Sequence, residues 1–127
     1  MTMIKLFSLL MFFNSFFLQS INDCSAIEEI FKSKKVLSYL HPELKERSAL
    51  YLVNNNLCKF NKKIGRLTIF TVDEKTALTN KNYLKITSIK NTKKGKIVNL
   101  SYPIEGACFI IQFDSKDKII NVEITEI

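Results

Sequence analysis

YLKITSIKNTKKGKIVNLSYPIEGACFIIQFDSKDKIINVEITEI, residues 83–127, decides the fold. Tyr83 to Lys90 alternates Leu84 and Ile86 with Tyr83, Lys85 and Thr87, and it is rich in the β-branched and aromatic types that suit a pleated, half-buried surface. Asn91-Thr92-Lys93-Lys94-Gly95 supplies the polar residues and the glycine of a short hairpin connection. Lys96 to Tyr102 is the returning strand, stopped by Pro103, which has no N–H to give to a ladder. Tyr102 to Gly106 is then a turn or bulge. Ala107 to Phe113 puts Ala107, Phe109, Ile111 and Phe113 on one face and Cys108, Ile110 and Gln112 on the other. Asp114 to Asp117 turns the chain again, and Ile119 to Ile127 alternates Ile120, Val122 and Ile124 with Asn121, Glu123 and Thr125. The result is a meander of four strands with one apolar face that needs cover.

That cover is a helix near the start of the domain. Ser25-Ala26-Ile27-Glu28 has the form of a capping box, and Ile27, Ile30, Phe31 and Leu37 follow helical spacing, widened by Val36 and Leu40. A helix from Ala26 to about Leu40 is expected, with Ser33 to Lys35 as the place where it would divide. His41-Pro42 ends it, because a residue before proline is pushed out of the α region. Between helix and meander, Glu43 to Arg47 reads as a polar helical turn and Ala49 to Val53 as a short strand. Leu57 to Phe60 reads as that strand's partner across Asn54-Asn55-Asn56, and Arg66 to Val72 as a further strand. Asp73 to Lys81 has no apolar period and is expected to be the longest loop, the place where recognition residues concentrate.

The fold class expected is therefore α+β: an N-terminal helix packed on a curved antiparallel sheet, four C-terminal strands plus one to three preceding ones, roll-like. In outline this resembles the cystatin-like and NTF2-like α+β rolls, a likeness of architecture that carries no function.

Residues 1–20 carry Lys5 and then an apolar run from Leu6 to Phe13, interrupted at Asn14 and Ser15. The run is shorter than the roughly 20 apolar residues of a spanning helix and matches the core of a secretory signal. A cleaved signal peptide over residues 1–20, and a single domain over residues 21–127, periplasmic or secreted, are expected. All three methionines and five of the ten phenylalanines belong to the signal-like segment, so the remainder is more polar than the whole-chain composition suggests.

Three cysteines remain, Cys24, Cys58 and Cys108, and export makes a disulfide the expectation. Cys24 with Cys58 is the favoured pair, because Cys108 lies in mid-strand. Catalytic chemistry finds little support. His41 is the only histidine, no triad is apparent, and three scattered cysteines with one histidine do not make the four-ligand set of a structural zinc site. The three glycines form no phosphate cradle, so no cofactor and no metal are expected. Glu105, beside Tyr102 in the turn, is the one carboxylate in an unusual setting.

Without residues 1–20 the chain has 18 basic and 12 acidic residues. The excess is clustered at Lys32, Lys34 and Lys35; at Lys59, Lys62, Lys63 and Arg66; and at Lys93, Lys94 and Lys96. A field of this sign steers acidic proteins and anionic envelope surfaces, whereas the missing aromatic interleaving disfavours nucleic acid. Tyr102, Glu105, Lys93 and Lys94 are the expected binding residues. The function expected is a non-catalytic binding module. Its rivals are an inhibitor or immunity protein that plugs an acidic site on a toxin or hydrolase, and a ligand carrier or enzyme with a pocket between helix and sheet.

Overall fold

The computed structural model describes residues 24–54, 59–80 and 82–126. The signal-like segment and Cys58 lie outside them. Helical segments are α1 (residues 24–30), α2 (Lys34–Leu40) and α3 (Glu74–Thr79). The strands are β1 (Ala49–Val53), β2 (Lys62–Ile64), β3 (Leu67–Thr71), β4 (Tyr83–Thr92), β5 (Gly95–Tyr102), β6 (Ala107–Asp114) and β7 (Ile119–Glu126). All seven form one sheet in the order β2-β3-β1-β4-β5-β6-β7. The protein is thus a mixed α+β fold, and no helix among the described residues is long and apolar enough to cross a membrane.

From β4 onward the sheet is the meander that the alternation requires, each strand antiparallel to the next. Ala107, Phe109, Ile111 and Phe113 of β6 are all buried. Along β7 the expected face holds only in part. Gln112 pairs with Asn121 but Phe113 pairs with Ile119, so Ile120 is the extra residue of a bulge and stands 56 % exposed.

The first half departs from the antiparallel expectation. β1 lies between β3 and β4 and is parallel to both, so the sheet is mixed. Both edges of β1 are occupied, which leaves no place for Leu57 to Phe60 as its hairpin partner. Residues 55–58 are not among those described, and Phe60 is in no strand. Its N–H donates to Thr71 Oγ1 at 2.8 Å and its carbonyl accepts from the Thr71 hydroxyl at 2.9 Å, which moors it to the end of β3. The expected loop from Asp73 to Lys81 contains α3. Asp73 caps it by accepting from Thr76 N–H at 2.7 Å, a signal present in the sequence as an aspartate three residues before a threonine.

The expected first helix is divided. Ser33 is the N-cap of α2, its hydroxyl accepting from Val36 N–H at 3.4 Å, while Lys32 and Ser33 N–H close 3₁₀-type bonds onto Glu29 and Ile30. Cys24 is already helical, so Ser25 lies inside α1 and is not its cap. At the other end His41 takes the left-handed conformation, φ 52°, and donates its N–H to Leu37 O. Pro42 makes the right-handed alternative unfavourable there.

One apolar cluster joins the helical segments to the sheet: Ala26, Ile27, Ile30 and Phe31 with Val36 and Leu40, and beneath them Leu50, Leu52, Leu84, Leu100, Tyr102 and Phe109 among others. Tyr39 packs edge-to-face on Phe109 at 5.9 Å, and Phe31 stacks on Phe60 at the same distance. Each fully buried large side chain of this kind contributes roughly 1.5–3 kcal/mol. Lys85, between the core-facing Leu84 and Ile86, points to the opposite face and pairs with Glu74 of α3 at 2.6 Å. α3 therefore sits on the face away from α1 and α2.

Gly95 opens β5 at φ 154°, and a Cβ there would come 2.0 Å from Phe113 O and 2.7 Å from Asp114 C. Gly65 has φ 59° with open space around it. Gly95→Ala is expected to cost about 2–4 kcal/mol, read as a lower urea midpoint at unchanged m. Gly65→Ala should cost only the left-handed penalty of about 1–2 kcal/mol.

Candidate functional site: a polar junction and a basic end

The four expected binding residues fall at two separate places. Tyr102 and Glu105 lie at the end of β5 and in the 3₁₀ turn Pro103–Glu105 that follows it. Lys93 and Lys94 lie in the turn before β5, a strand length away, about 24 Å at ~3.4 Å per residue.

The first place is a polar junction. Tyr102 is fully buried, so its ring belongs to the core, and its hydroxyl donates to Asn82 Oδ1. Asn82 Nδ2 donates to Arg47 O at 3.1 Å and to Ala49 O at 2.8 Å, and Asn82 O accepts from Tyr51 N–H at 3.1 Å. Arg47 Nη1 donates to Glu105 Oε1 at 2.8 Å and reaches the Tyr102 hydroxyl at 3.5 Å, the outer limit of such a bond. Burial opposes the Arg47 charge, but the bonds to Glu105 and Tyr102 more than offset it, so its pKa stands above the usual value. His41 Nδ1 lies 3.1 Å from Glu43 and its Nε2 lies 3.9 Å from Glu105. Among the described residues no serine, threonine or cysteine side chain bonds to that imidazole, so the cluster lacks the nucleophile that a triad needs.

A cleft of about 310 Å³ opens beside the junction, walled by Tyr51, Asn80, Asn82 and Ile104. Tyr51 stacks on Phe70 at 5.6 Å along its rim. The hydrogen bonds named for Asn82 all end on protein atoms, and through them the junction ties the 3₁₀ turn Lys45–Arg47, β1 and β5 to the start of β4.

The second place is a basic end. In a meander alternate turns lie at the same end, so the β4–β5 and β6–β7 turns are neighbours, with Gly95 directly opposite Asp114. Residues 90–96 and 114–118 carry six lysines and two aspartates. Both aspartates are engaged. Asp117 pairs with Lys96 at 3.1 Å, the side chains 15 % and 9 % exposed, and Asp114 Oδ1 accepts from Lys116 and Lys118 N–H at 2.8 and 3.0 Å. Those two backbone donors, Lys118 first, hold the Asp114 carboxyl below the usual aspartate range. Lys90, Lys93, Lys94, Lys116 and Lys118 are exposed. None of those five forms an ion pair among the described residues.

A cleft of about 240 Å³ lies between the turns, lined by Lys93, Lys96, Asp114 and Asp117 among others, and another of about 440 Å³ is lined by Lys118 together with Lys32 and its ion-pair partner Glu29. The remaining cluster is elsewhere: β2 is the far edge strand, and its Lys62 pairs with Glu28 on α1. Among the described residues no group of three or more histidine, cysteine, aspartate or glutamate side chains is placed to hold a metal ion.

Arg47 and Asn82 carry no sequence pattern that marks them as partners, being 35 residues apart. Lys116 and Lys118 do have a signal, since the meander alone places their turn beside Lys93 and Lys94. Comparison with family models, curated proteins and solved structures finds no match to this chain.

Removing one partner of the junction leaves the others buried and unsatisfied. Tyr102→Phe should cost about 1–2 kcal/mol and Asn82→Ala about 2–4 kcal/mol, with a coupling of order 1 kcal/mol in the double mutant by urea denaturation. Burial raises the Tyr102 pKa above that of an ordinary tyrosine, with the Arg47 bond opposing it. The folded state thus holds this proton more tightly than the unfolded chain does. Its contribution is complete below about pH 10 and is lost as pH rises through the raised value. Tyr102→Phe should accordingly show a shallower alkaline fall in stability than the parent.

Proposed function

We propose that this chain is a small exported, non-catalytic binding module that engages an anionic partner through the basic end of its sheet. The observation that carries the reading is the gathering of Lys90, Lys93, Lys94, Lys116 and Lys118 beside two aspartates that are both already engaged. Charge of one sign collected by two turns at one end concentrates the field there, and such a field speeds and orients encounter with an anion. A carrier or enzyme with a pocket between helices and sheet is disfavoured, because Ile30, Leu40, Leu100, Tyr102 and Phe109 fill that interior at no more than 1 % exposure. The inhibitor or immunity role is a narrower form of the same reading, in which the anion is one acidic protein.

Export rests on the signal-like residues 1–20, and the roll-like curve of the sheet over α1 and α2 is supported by their shared apolar cluster. A Cys24–Cys58 bridge belongs to the same reading. Cys108 is a free, half-buried thiol in β6, which leaves Cys24 with Cys58 as the one pairing among the three cysteines. Peptide mapping without reductant should recover Cys24 joined to Cys58, and reduction should lower stability by about 3–4 kcal/mol for a loop of this size. A Cys108 linkage would be the contrary result.

The tagged chain, captured from its native envelope at low and high salt, should retain an anionic partner only at low salt. Lys93→Gln/Lys94→Gln and Lys116→Gln/Lys118→Gln should each release it. Retention that ignores both salt and these substitutions would overturn the reading.

A further inference from the structure

We infer that the anionic partner at the basic end is the phosphate-bearing surface of a lipid bilayer, an inference that rests on the reading above. The chemistry of the patch separates a bilayer from an acidic protein. Every free cation in the two turns is a lysine; the two arginines of the chain, Arg47 and Arg66, are elsewhere. Lysine is a flexible, strongly hydrated point charge that follows mobile phosphates without a fixed geometry, whereas arginine's planar fork suits bidentate pairing with a carboxylate or phosphate held in one place. Specific protein interfaces are depleted in lysine and enriched in arginine and aromatic anchors. No aromatic side chain is exposed in residues 90–96 or 114–118.

The β7 bulge supplies the second observation. It turns Ile120 outward, 56 % exposed, two residues from Lys118 and directly after the turn. Ile120 is one of six large hydrophobic side chains exposed among the described residues, and it stands next to the lysine turns. Against a bilayer it enters the headgroup boundary while the lysines remain among the phosphates, as in surface-bound basic segments. The β6–β7 turn is braced by Asp114, which accepts from Lys116 and Lys118 N–H, and Lys96 joins the turn to the start of β5 through Asp117. Lys116 and Lys118 are therefore presented on a braced turn beside Lys93 and Lys94.

Co-sedimentation of the purified chain with phosphatidylcholine vesicles, and with vesicles also containing phosphatidylglycerol, tests this. Binding to the mixed vesicles is expected to be much the stronger and to fall with salt. At roughly fivefold per lysine, Lys93→Gln/Lys94→Gln and Lys116→Gln/Lys118→Gln should each lose about twentyfold. Ile120→Ser should weaken binding severalfold, and Lys62→Gln/Lys63→Gln on β2 should leave it unchanged, with circular dichroism of every variant matching the parent. Equal binding to neutral vesicles, an equal loss from the β2 variant, or displacement by soluble glycerol phosphate at low concentration would overturn the inference. Vesicle binding that fails while an acidic protein is still captured in a lysine-dependent way would refute the bilayer alone and leave the basic-end reading standing. Failure of both would refute both.

Discussion

Asn82 is the side chain on which the mixed sheet turns. A strand with parallel neighbours on both edges has no hairpin to fix its register, and β1 is only five residues long. Asn82 supplies the missing constraint at its entry. The amide nitrogen takes the carbonyls of Arg47 and Ala49, the backbone oxygen takes Tyr51 N–H, and the amide oxygen takes the Tyr102 hydroxyl. A shift of β1 by one residue would break three of these bonds and turn Leu50 and Leu52 away from the core. Hydrogen bonding in the junction and hydrophobic packing beneath it therefore specify the same register. That agreement makes a buried polar network favourable here rather than a source of error.

The parts of the fold legible in the sequence are those whose evidence is local. β4 to β7 could be read because alternation, two turns and a proline all lie within 45 residues, and the division of the first helix at Ser33 was present as a cap residue inside an apolar period. The placement of β1 was not legible. Ala49 to Val53 looks the same in sequence whether its partner is a hairpin neighbour or a distant parallel strand, and Asn54-Asn55-Asn56 offers turn chemistry that favours the wrong choice. α3 was hidden because six residues with one buried position, Ala77, show no period. The Ile120 bulge was hidden for a related reason: a one-residue slip is invisible until the partner strand fixes the pairing.

The candidate site divides along the same line. Tyr102 and Glu105 stood out because the turn that holds them is unusual, and the turn is unusual because it closes the junction. In the fold they meet Arg47 and Asn82. Lys93 and Lys94 stood out as a charge run, which alone would describe any solvated face. What changes their meaning is the second turn, where Asp114 and Asp117 look in sequence like compensating charge. In the folded chain Asp114 is consumed by two backbone N–H groups and Asp117 by Lys96. Both carboxylates keep their charge, and the two turns together still carry four more lysines than aspartates, six against two.

Stability and charge display are linked through Lys96. Its aliphatic stem is buried on the core side of β5 while its ammonium meets Asp117, so one lysine of the cluster is withdrawn to fasten the turn that presents Lys116 and Lys118. Surface ion pairs contribute little on their own, but this one is nearly enclosed, and removing a single partner from such a pair is costly. The chain therefore has a structural reason to keep Asp117 in the turn. The exposed Lys90, Lys93 and Lys94 have no such tie, while Lys116 and Lys118 are drawn toward the Asp114 carboxylate. Like charges gathered at one end repel, and an anionic partner of the kind proposed above would relieve that repulsion.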